Sequence, residues 1–227
     1  MKKNIVVLSL ALIPFLVMSQ EDIFNDFDTK YREDQLYFGV TYNALTNAPD
    51  QLSQTGFSPG FNIGIIRDFP INTNRNVAFG LGLGYSINSY SQNLKISTSE
   101  AGNFEYEFLP NSAFQKNRFS YQSIDIPFEF RWRTSTAARY KFWRIYAGLK
   151  ASYILSSKAF FESSSQSVTT KNISLKQWLF GLTLSAGYNN WNAYLYYGLS
   201  PLFEGVEWQQ NHIDMKALKV GLMFYFL

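Results

Sequence analysis

One stretch of the chain, residues 123–133, alternates apolar and charged side chains over its whole length. Its even-numbered positions are all apolar: Ile124, Ile126, Phe128, Phe130 and Trp132. The odd-numbered positions carry four charges of both signs, together with Pro127: Asp125, Glu129, Arg131 and Arg133. Successive side chains of a strand point to opposite faces, so this period of two predicts a strand with one apolar and one charged face. The apolar face would fit either the core of a soluble sandwich or the lipid side of a membrane barrel whose charges lie in the lumen.

The N-terminus indicates that the chain leaves the cytoplasm. Lys2 and Lys3 precede an apolar run over residues 5–18, and acidic sequence begins at Glu21. This order is typical of a secretory signal peptide, which we expect at residues 1–19. The run is shorter than the ~20 residues of a membrane-spanning helix, which disfavours a membrane anchor. Residues 20–34 would then be a short periplasmic leader, which either docks its aromatic side chains or is a flexible tail.

Composition narrows the class of protein further. The chain has no cysteine, which excludes a lipoprotein anchor and a disulfide framework. Without the two lysines of the signal, the 20 basic residues fall to 18 against 17 acidic ones, so there is no electrostatic case for binding nucleic acid. Aromatic residues make up 18% of the chain, with alternation in place of long apolar runs. That combination favours an outer-membrane barrel over a secreted sandwich.

Seven other segments show the same two-faced alternation, which gives eight predicted strands. They cover residues 35–44, 57–68, 77–88, 123–133, 143–155, 177–188, 191–199 and 217–226. Long connections follow the first, third, fifth and seventh of them, at residues 43–57, 91–118, 156–171 and 201–213. Short turns follow the second, fourth and sixth. Outer-membrane barrels show this asymmetry, with loops outside and turns in the periplasm.

We therefore predict that residues 35–227 form an all-β fold, an eight-stranded antiparallel up-and-down transmembrane β-barrel with a closed polar lumen. The even strand number places both termini on the periplasmic side of the outer membrane of a Gram-negative-type bacterium. The outward faces would contact outer-membrane lipids. Aromatic residues beside the short turns are expected to form the periplasmic interface girdle: Trp132, Trp143, Tyr188 and Trp191. Those near the long loops are expected at the other interface: Tyr42, Tyr85 and Tyr153.

The inward-facing charges form the main candidate site. They are Asp125, Glu129, Arg131, Arg133, Arg144, Lys150 and Lys219. They could line a polar conduit or a ligand site, but an eight-stranded barrel has little room beyond its own side chains, which favours a filled lumen. Buried charges need partners, and neighbouring strands offer Glu129 near Arg144 or Lys150. Alternating glycines in residues 77–88 would leave space for such long side chains.

Signals for catalysis are weak. The one histidine, His212, lies in the fourth long loop with Asp214 and Glu207, and a single His-x-Asp in a loop has little specificity. No metal-ligand spacing and no phosphate-binding glycine motif occurs in the sequence. We expect a protein without enzymatic activity, cofactor or metal.

The end of the chain carries the first resemblance. Residues 219–227 (KVGLMFYFL) resemble the C-terminal signal read by the barrel-assembly machinery during insertion, with Phe224, Phe226 and Leu227 as its last elements. An aromatic residue is usual at the final position, where this chain has Leu227.

The mature chain as a whole resembles the PorT-like family of small outer-membrane barrels. The best matches are residues 36–40 (LYFGV), 124–131 (IDIPFEFR) and 146–150 (YAGLK). The namesake of that family is implicated in type IX secretion and gliding. The resemblance implies an accessory or structural subunit of a protein secretion or outer-membrane assembly machine, bound to other outer-membrane or periplasmic proteins. A small channel and a surface ligand-binding barrel remain as alternatives.

Overall fold

The computed structural model describes residues 34–54, 56–99, 102–134, 142–208 and 211–226. The predicted signal peptide, most of the leader and Leu227 lie outside these ranges. The strands are β1 (Gln35–Thr46), β2 (Pro59–Pro70), β3 (Val77–Ser91), β4 (Leu94–Thr98), β5 (Phe104–Phe108), β6 (Lys116–Arg133), β7 (Trp143–Glu162), β8 (Ser167–Lys171), β9 (Trp178–Tyr188), β10 (Trp191–Gly198), β11 (Glu207–Trp208), β12 (Asn211–His212) and β13 (Lys216–Phe226). In these ranges no helix has the length and apolar character needed to cross a membrane.

Eight of the strands form one closed antiparallel sheet in the order β1-β2-β3-β6-β7-β9-β10-β13. The first and last strands close it, with Leu36 opposite Phe226 and Thr46 opposite Lys216. Closure leaves no edge of unpaired backbone groups, which is what a sheet needs in order to stand in lipid. The predicted eight-stranded up-and-down barrel is confirmed.

The alternation of the sequence becomes an inside and an outside. On β6, Phe128 and Phe130 are exposed on the outer wall while Glu129 and Arg131 are buried in the lumen. The other barrel strands repeat this arrangement, so the middle of the outer wall is a continuous apolar surface. A membrane barrel has this distribution, whereas a soluble protein rarely exposes so large an apolar area.

Glycines on β3 leave space for a long side chain from β6. A Cβ atom on Gly80 would lie 2.7 Å from Cδ of Arg131 and 2.9 Å from Cγ2 of Ile66. Ala78, which is opposite Arg131, is also small. The Arg131 side chain can therefore cross the inner face of β3 and reach β2.

The strands extend beyond the predicted boundaries at the long-loop end. β6 begins at Lys116 and β7 continues to Glu162, so the predicted loops at residues 91–118 and 156–171 are partly wrong. The loop after β3 contains the β4–β5 hairpin, and β8 returns along the end of β7. We call this continuation of the sheet, β4–β5, β8 and the ends of β6 and β7, the extension.

The reason for the error is visible on β6, where the two faces exchange their chemistry. On the barrel side of residue 123 the outward positions are apolar and the inward positions are polar. Past this point Arg118, Ser120 and Gln122 face outward, while Phe119 and Tyr121 are buried inside. The exchange marks the edge of the lipid-facing wall, because an outer surface in water favours polar residues and a core beneath it favours apolar ones.

β7 changes partners at the same level. The register with β6 shifts between Gln122 and Ser123, which leaves Leu155 as an extra residue of a β-bulge. Below the bulge β7 pairs with β9, up to Tyr153 opposite Trp178, and above it pairs with β8, from Lys158 opposite Lys171.

An apolar core fills the inside of the extension. Tyr90 stacks on Phe119 with ring centroids 4.9 Å apart, and Phe203 packs edge-on against Phe119 at 5.4 Å. Leu94 and Met215 are fully buried beside them. Burial in this core also raises the pKa of the Tyr106 hydroxyl on β5 to about 12. This core covers the long-loop end of the lumen.

The space above Gly80 is predicted to be required for stability. Gly80→Leu should lower the free energy of unfolding by about 1–3 kcal/mol, because the new side chain overlaps Arg131 and Ile66. The midpoint of heat-modifiable gel migration should fall with it. The control is Leu81→Val, which alters the adjacent outward position and should change the midpoint little; equal shifts in the two variants would contradict the packing argument.

Candidate functional site

The centre of the lumen network is Asp68, a residue of β2 near the short-turn end. Each of its carboxylate oxygens accepts from one guanidinium, Arg131 on Oδ1 and Arg133 on Oδ2. All three side chains are completely buried. Arg131 also donates to the Gln35 side-chain oxygen, and Arg133 donates to the backbone oxygen of Arg75 at 3.0 Å. One carboxylate thus ties β6 to β2 across β3.

A second ion pair occupies the middle of the lumen. Lys150 Nζ lies 3.2 Å from Asp125 Oδ2, and Asp125 also accepts from the Ser123 hydroxyl at 3.0 Å. Glu129 lies between the two groups, with Oε2 3.8 Å from Nε of Arg131. Glu129 does line the same small cavity as Lys150, as expected, but it makes no ion pair of 4.0 Å or less with Lys150 or Arg144. Arg131 takes that place because it is on the same strand and face, two residues away.

The remaining two cations of the predicted network rest on aromatic rings. Arg144 lies 4.6 Å from the ring centre of Phe142 and 5.6 Å from that of Tyr225. Lys219 lies 4.8 Å from the ring of Tyr196. Neither makes an ion pair of 4.0 Å or less with a described residue. Cation–π contacts take the place of carboxylates here, and Phe142 and the lumen tyrosines supply them.

These side chains leave almost no free volume at mid-lumen. A cavity of about 10 Å³ lies between Tyr37, Lys150, Tyr194 and Met223, which is about the space of one water molecule. The apolar core of the extension then covers the long-loop end. Charged groups and tyrosines, most of them buried, thus occupy the described part of the lumen.

The predicted interface aromatics lie on the outer wall near the short turns. Trp143, Tyr188 and Trp191 follow one another across β7, β9 and β10 in a single row of partners, which continues to Phe224 on β13. Trp191 packs edge-on against Phe224 at 4.7 Å, and Trp143 lies 5.4 Å from Tyr188. Trp132 is also exposed on this wall. At the other end Tyr153 packs on Trp178 at 5.0 Å.

Two residues of the predicted assembly signal, Phe224 and Phe226, also lie on the outer wall. Phe224 stacks on Phe38 of β1 at 6.3 Å, so it lies at the seam where the barrel closes. Phe226 is exposed on the outer wall opposite Leu36. Leu227 lies outside the described residues.

The structure gives no support for a catalytic site at Glu207, His212 and Asp214. Glu207 and His212 are backbone partners in the two-residue β11–β12 hairpin, and the Asp214 side chain is exposed. The side chains of Glu207 and His212 lie outside the described part. Across the residues that the structure describes, no group of three or more His, Asp or Glu side chains could hold a metal ion.

Sequence reasoning missed two groups of residues. Asp68 lies on the parity opposite to the apolar residues Ile63 and Ile65, so the alternation of β2 could have revealed that it faces inward. The outward cations of the extension were assigned to loops: Arg118, Lys158 and Lys171. On β6 the alternation continues past residue 123 with the two faces exchanged. Recognising this exchange would have placed these three cations on strands.

The network makes Asp68 the most sensitive charge in the lumen. Asp68→Asn should lower the free energy of unfolding by about 3–5 kcal/mol, because it leaves two buried guanidinium groups without their shared carboxylate. Replacing all three groups, in Asp68→Leu/Arg131→Met/Arg133→Met, should recover much of the loss. Urea unfolding in detergent micelles, followed by tryptophan fluorescence, measures both.

The control is Glu162→Gln, which removes the partly exposed pair with Lys116 (3.1 Å) at the far end of the molecule. It should cost less than about 1 kcal/mol. A loss at Asp68 no larger than this would show that the buried pairs do not hold the barrel together.

The match to a protein-family model agrees with this architecture. Residues 18–204 match the family model described as "Outer membrane protein beta-barrel domain". No curated protein matches the chain. Among solved structures, Ail of Yersinia pestis is 14% identical with a TM-score of 0.35 and covers 85% of this chain and 97% of its own. Ail in complex with the heparin analogue sucrose octasulfate is 16% identical with a TM-score of 0.38, covering 86% and 99%.

A triple mutant of the Rhodopseudomonas blastica porin is 9% identical, with a TM-score of 0.21 and coverage of 86% and 99%. The family match spans most of the chain and includes seven of the eight barrel strands. Together with the closed sheet and its apolar outer wall, it shows that this chain belongs to the outer membrane protein β-barrel domain family.

Proposed function

We propose that this protein is a non-enzymatic, non-conducting outer-membrane barrel that serves as an accessory or structural subunit of a protein secretion or outer-membrane assembly machine. The observation that carries the proposal is the filled lumen, with about 10 Å³ free at its centre. A barrel without a passage works through its surfaces. The resemblance to PorT-like barrels supports the choice of machine.

Two surfaces are suited to protein partners. The extension carries strands β6 and β7 beyond the apolar wall as far as Lys116 and Glu162 and presents several turns. On the wall itself, Ala186 and Ala193 are direct cross-strand partners and both are exposed, which makes a shallow patch between larger side chains. During insertion, the barrel-assembly machinery would read the final strand with Phe224 and Phe226.

We infer that the extension faces the cell exterior and that both termini are periplasmic. Because the chain has no cysteine, single-cysteine variants report this orientation cleanly. Ser164→Cys lies in the exposed turn between β7 and β8, and Asn74→Cys lies in the exposed short turn between β2 and β3. On intact cells a membrane-impermeant maleimide should label only Ser164→Cys. After the outer membrane is permeabilised it should label both, and the reverse pattern on intact cells would overturn the orientation.

The subunit role is tested by purification from the native membrane. The protein, tagged in the β7–β8 turn, should co-elute in mild detergent with one or more outer-membrane or periplasmic proteins at constant stoichiometry. A second small barrel of unrelated sequence, tagged in the same way in the same cells, is the control for non-specific capture. Elution of the protein alone in several mild detergents, with heat-modifiable migration intact, would refute the subunit role.

A surface ligand-binding barrel is the second candidate. A cleft of about 510 Å³ on the outer face of the extension is the observation that favours it.

A further inference from the structure

The cleft lies on the outer face of the sheet, just past the apolar wall. Three cations from three neighbouring strands line it: Arg118 on β6, Lys158 on β7 and Lys171 on β8. Ser120, Gln122 and Phe160 line the cleft beside them. The lining residues include no aspartate or glutamate. We call this surface the cationic groove.

The register places the cations side by side. Lys158 and Lys171 are direct cross-strand partners, and Ser120 is the partner of Lys158 on the other side. Arg118 is opposite Phe160, with its guanidinium 5.6 Å from the ring centre, and so lies diagonal to Lys158. Like charges directly opposite each other destabilise a sheet. The strand pair therefore carries an electrostatic cost that a bound anion would relieve.

The same face of the sheet does pair its charges elsewhere. One level further out, Lys116 is opposite Glu162 and lies 3.1 Å from its carboxylate. In contrast, none of the three groove cations makes an ion pair of 4.0 Å or less with a described residue. On the outer faces of β6, β7 and β8, the basic residues without an ion pair are thus the three of the groove.

The height of the groove fits the headgroup layer of a bilayer. Leu155 is the last exposed large apolar residue of β7, and Lys158 follows three residues later, roughly 10 Å further along a strand that rises about 3.3 Å per residue. Barrel strands are tilted, so the height above the apolar wall is smaller. Headgroups occupy about 5–7 Å on each side of the hydrocarbon. Long basic side chains can reach into this layer while their stems lie along the wall.

We propose that the cationic groove binds phosphate groups of a phosphorylated glycolipid in the outer leaflet, with the acyl chains lying on the apolar wall below. Arginine and lysine donate charge-assisted hydrogen bonds to phosphate oxygens, and Ser120 and Gln122 add neutral donors beside them. Phe160 holds the Arg118 guanidinium in place. The choice of leaflet rests on the orientation proposed above, whereas the binding itself does not.

The test uses the full-length protein in detergent, with bis-phosphorylated lipid A as the probe and native mass spectrometry to count bound lipid. The wild type should retain the lipid. Arg118→Gln/Lys158→Gln/Lys171→Gln should lose at least tenfold in affinity, because each basic residue near a charged lipid surface contributes several-fold. The control, Lys95→Gln/Lys116→Gln/Lys216→Gln, removes the same charge from strands of the long-loop end outside the groove and should bind like the wild type.

Two further ligands identify what is recognised. The wild type should bind lipid A without its phosphates at least tenfold more weakly than it binds bis-phosphorylated lipid A. The groove variant and the control variant should bind the lipid without phosphates equally well. Inorganic phosphate should not displace the lipid at comparable concentration, since it lacks the acyl chains. Equal retention by wild type and groove variant would overturn the proposal, as would equal losses in groove and control variants. Displacement by inorganic phosphate at comparable concentration would overturn the lipid as the occupant. Heat-modifiable migration of each variant confirms that it is folded.

Discussion

The structure depends on one constraint: an eight-stranded barrel with an apolar outer wall must place its charges in a lumen too narrow for bulk water. Buried charges are costly unless they are paired, so the lumen is organised around the pairs that its strands can form. Asp68 takes two arginines, Asp125 takes Lys150, and the two cations without carboxylates lie on aromatic rings. The small residues of β3 follow from the same need, because Arg131 has to cross that strand to reach Asp68.

The sequence predicted the barrel well because lipid and lumen impose opposite chemistry on alternate residues, and this shows as a period of two in every strand. It predicted the partners in the lumen poorly. Which charges meet depends on the stagger between strands: Asp68 is level with Gly80, and Gly80 is level with Glu129, a relation that no single strand reveals. The continuations of β6 and β7 into the extension were missed because they keep the alternation but exchange the two faces, and a test for apolar residues at one fixed parity ends at residue 123.

That exchange of faces divides the molecule into two parts, which differ in the face of the sheet that is apolar. Within the membrane the outside is apolar and the inside is polar, and the protein is held together by ion pairs and by backbone pairing around the barrel. Beyond it the outside is polar and the inside is an apolar core around Tyr90 and Phe119, like that of a water-soluble sheet. The apolar core covers the lumen, and the polar outside carries the surfaces for which we propose protein partners and lipid. The cationic groove lies where the two parts join.

The most direct test of a filled lumen is the ionic conductance of the purified protein in a planar lipid bilayer. With insertion verified by recovery of folded protein from the same membranes, and a reconstituted porin as positive control, the current should stay at the level of the bare bilayer. Discrete current steps of reproducible size, with an ion selectivity that changes in Lys150→Gln, would assign an open pathway to the lumen and contradict the account.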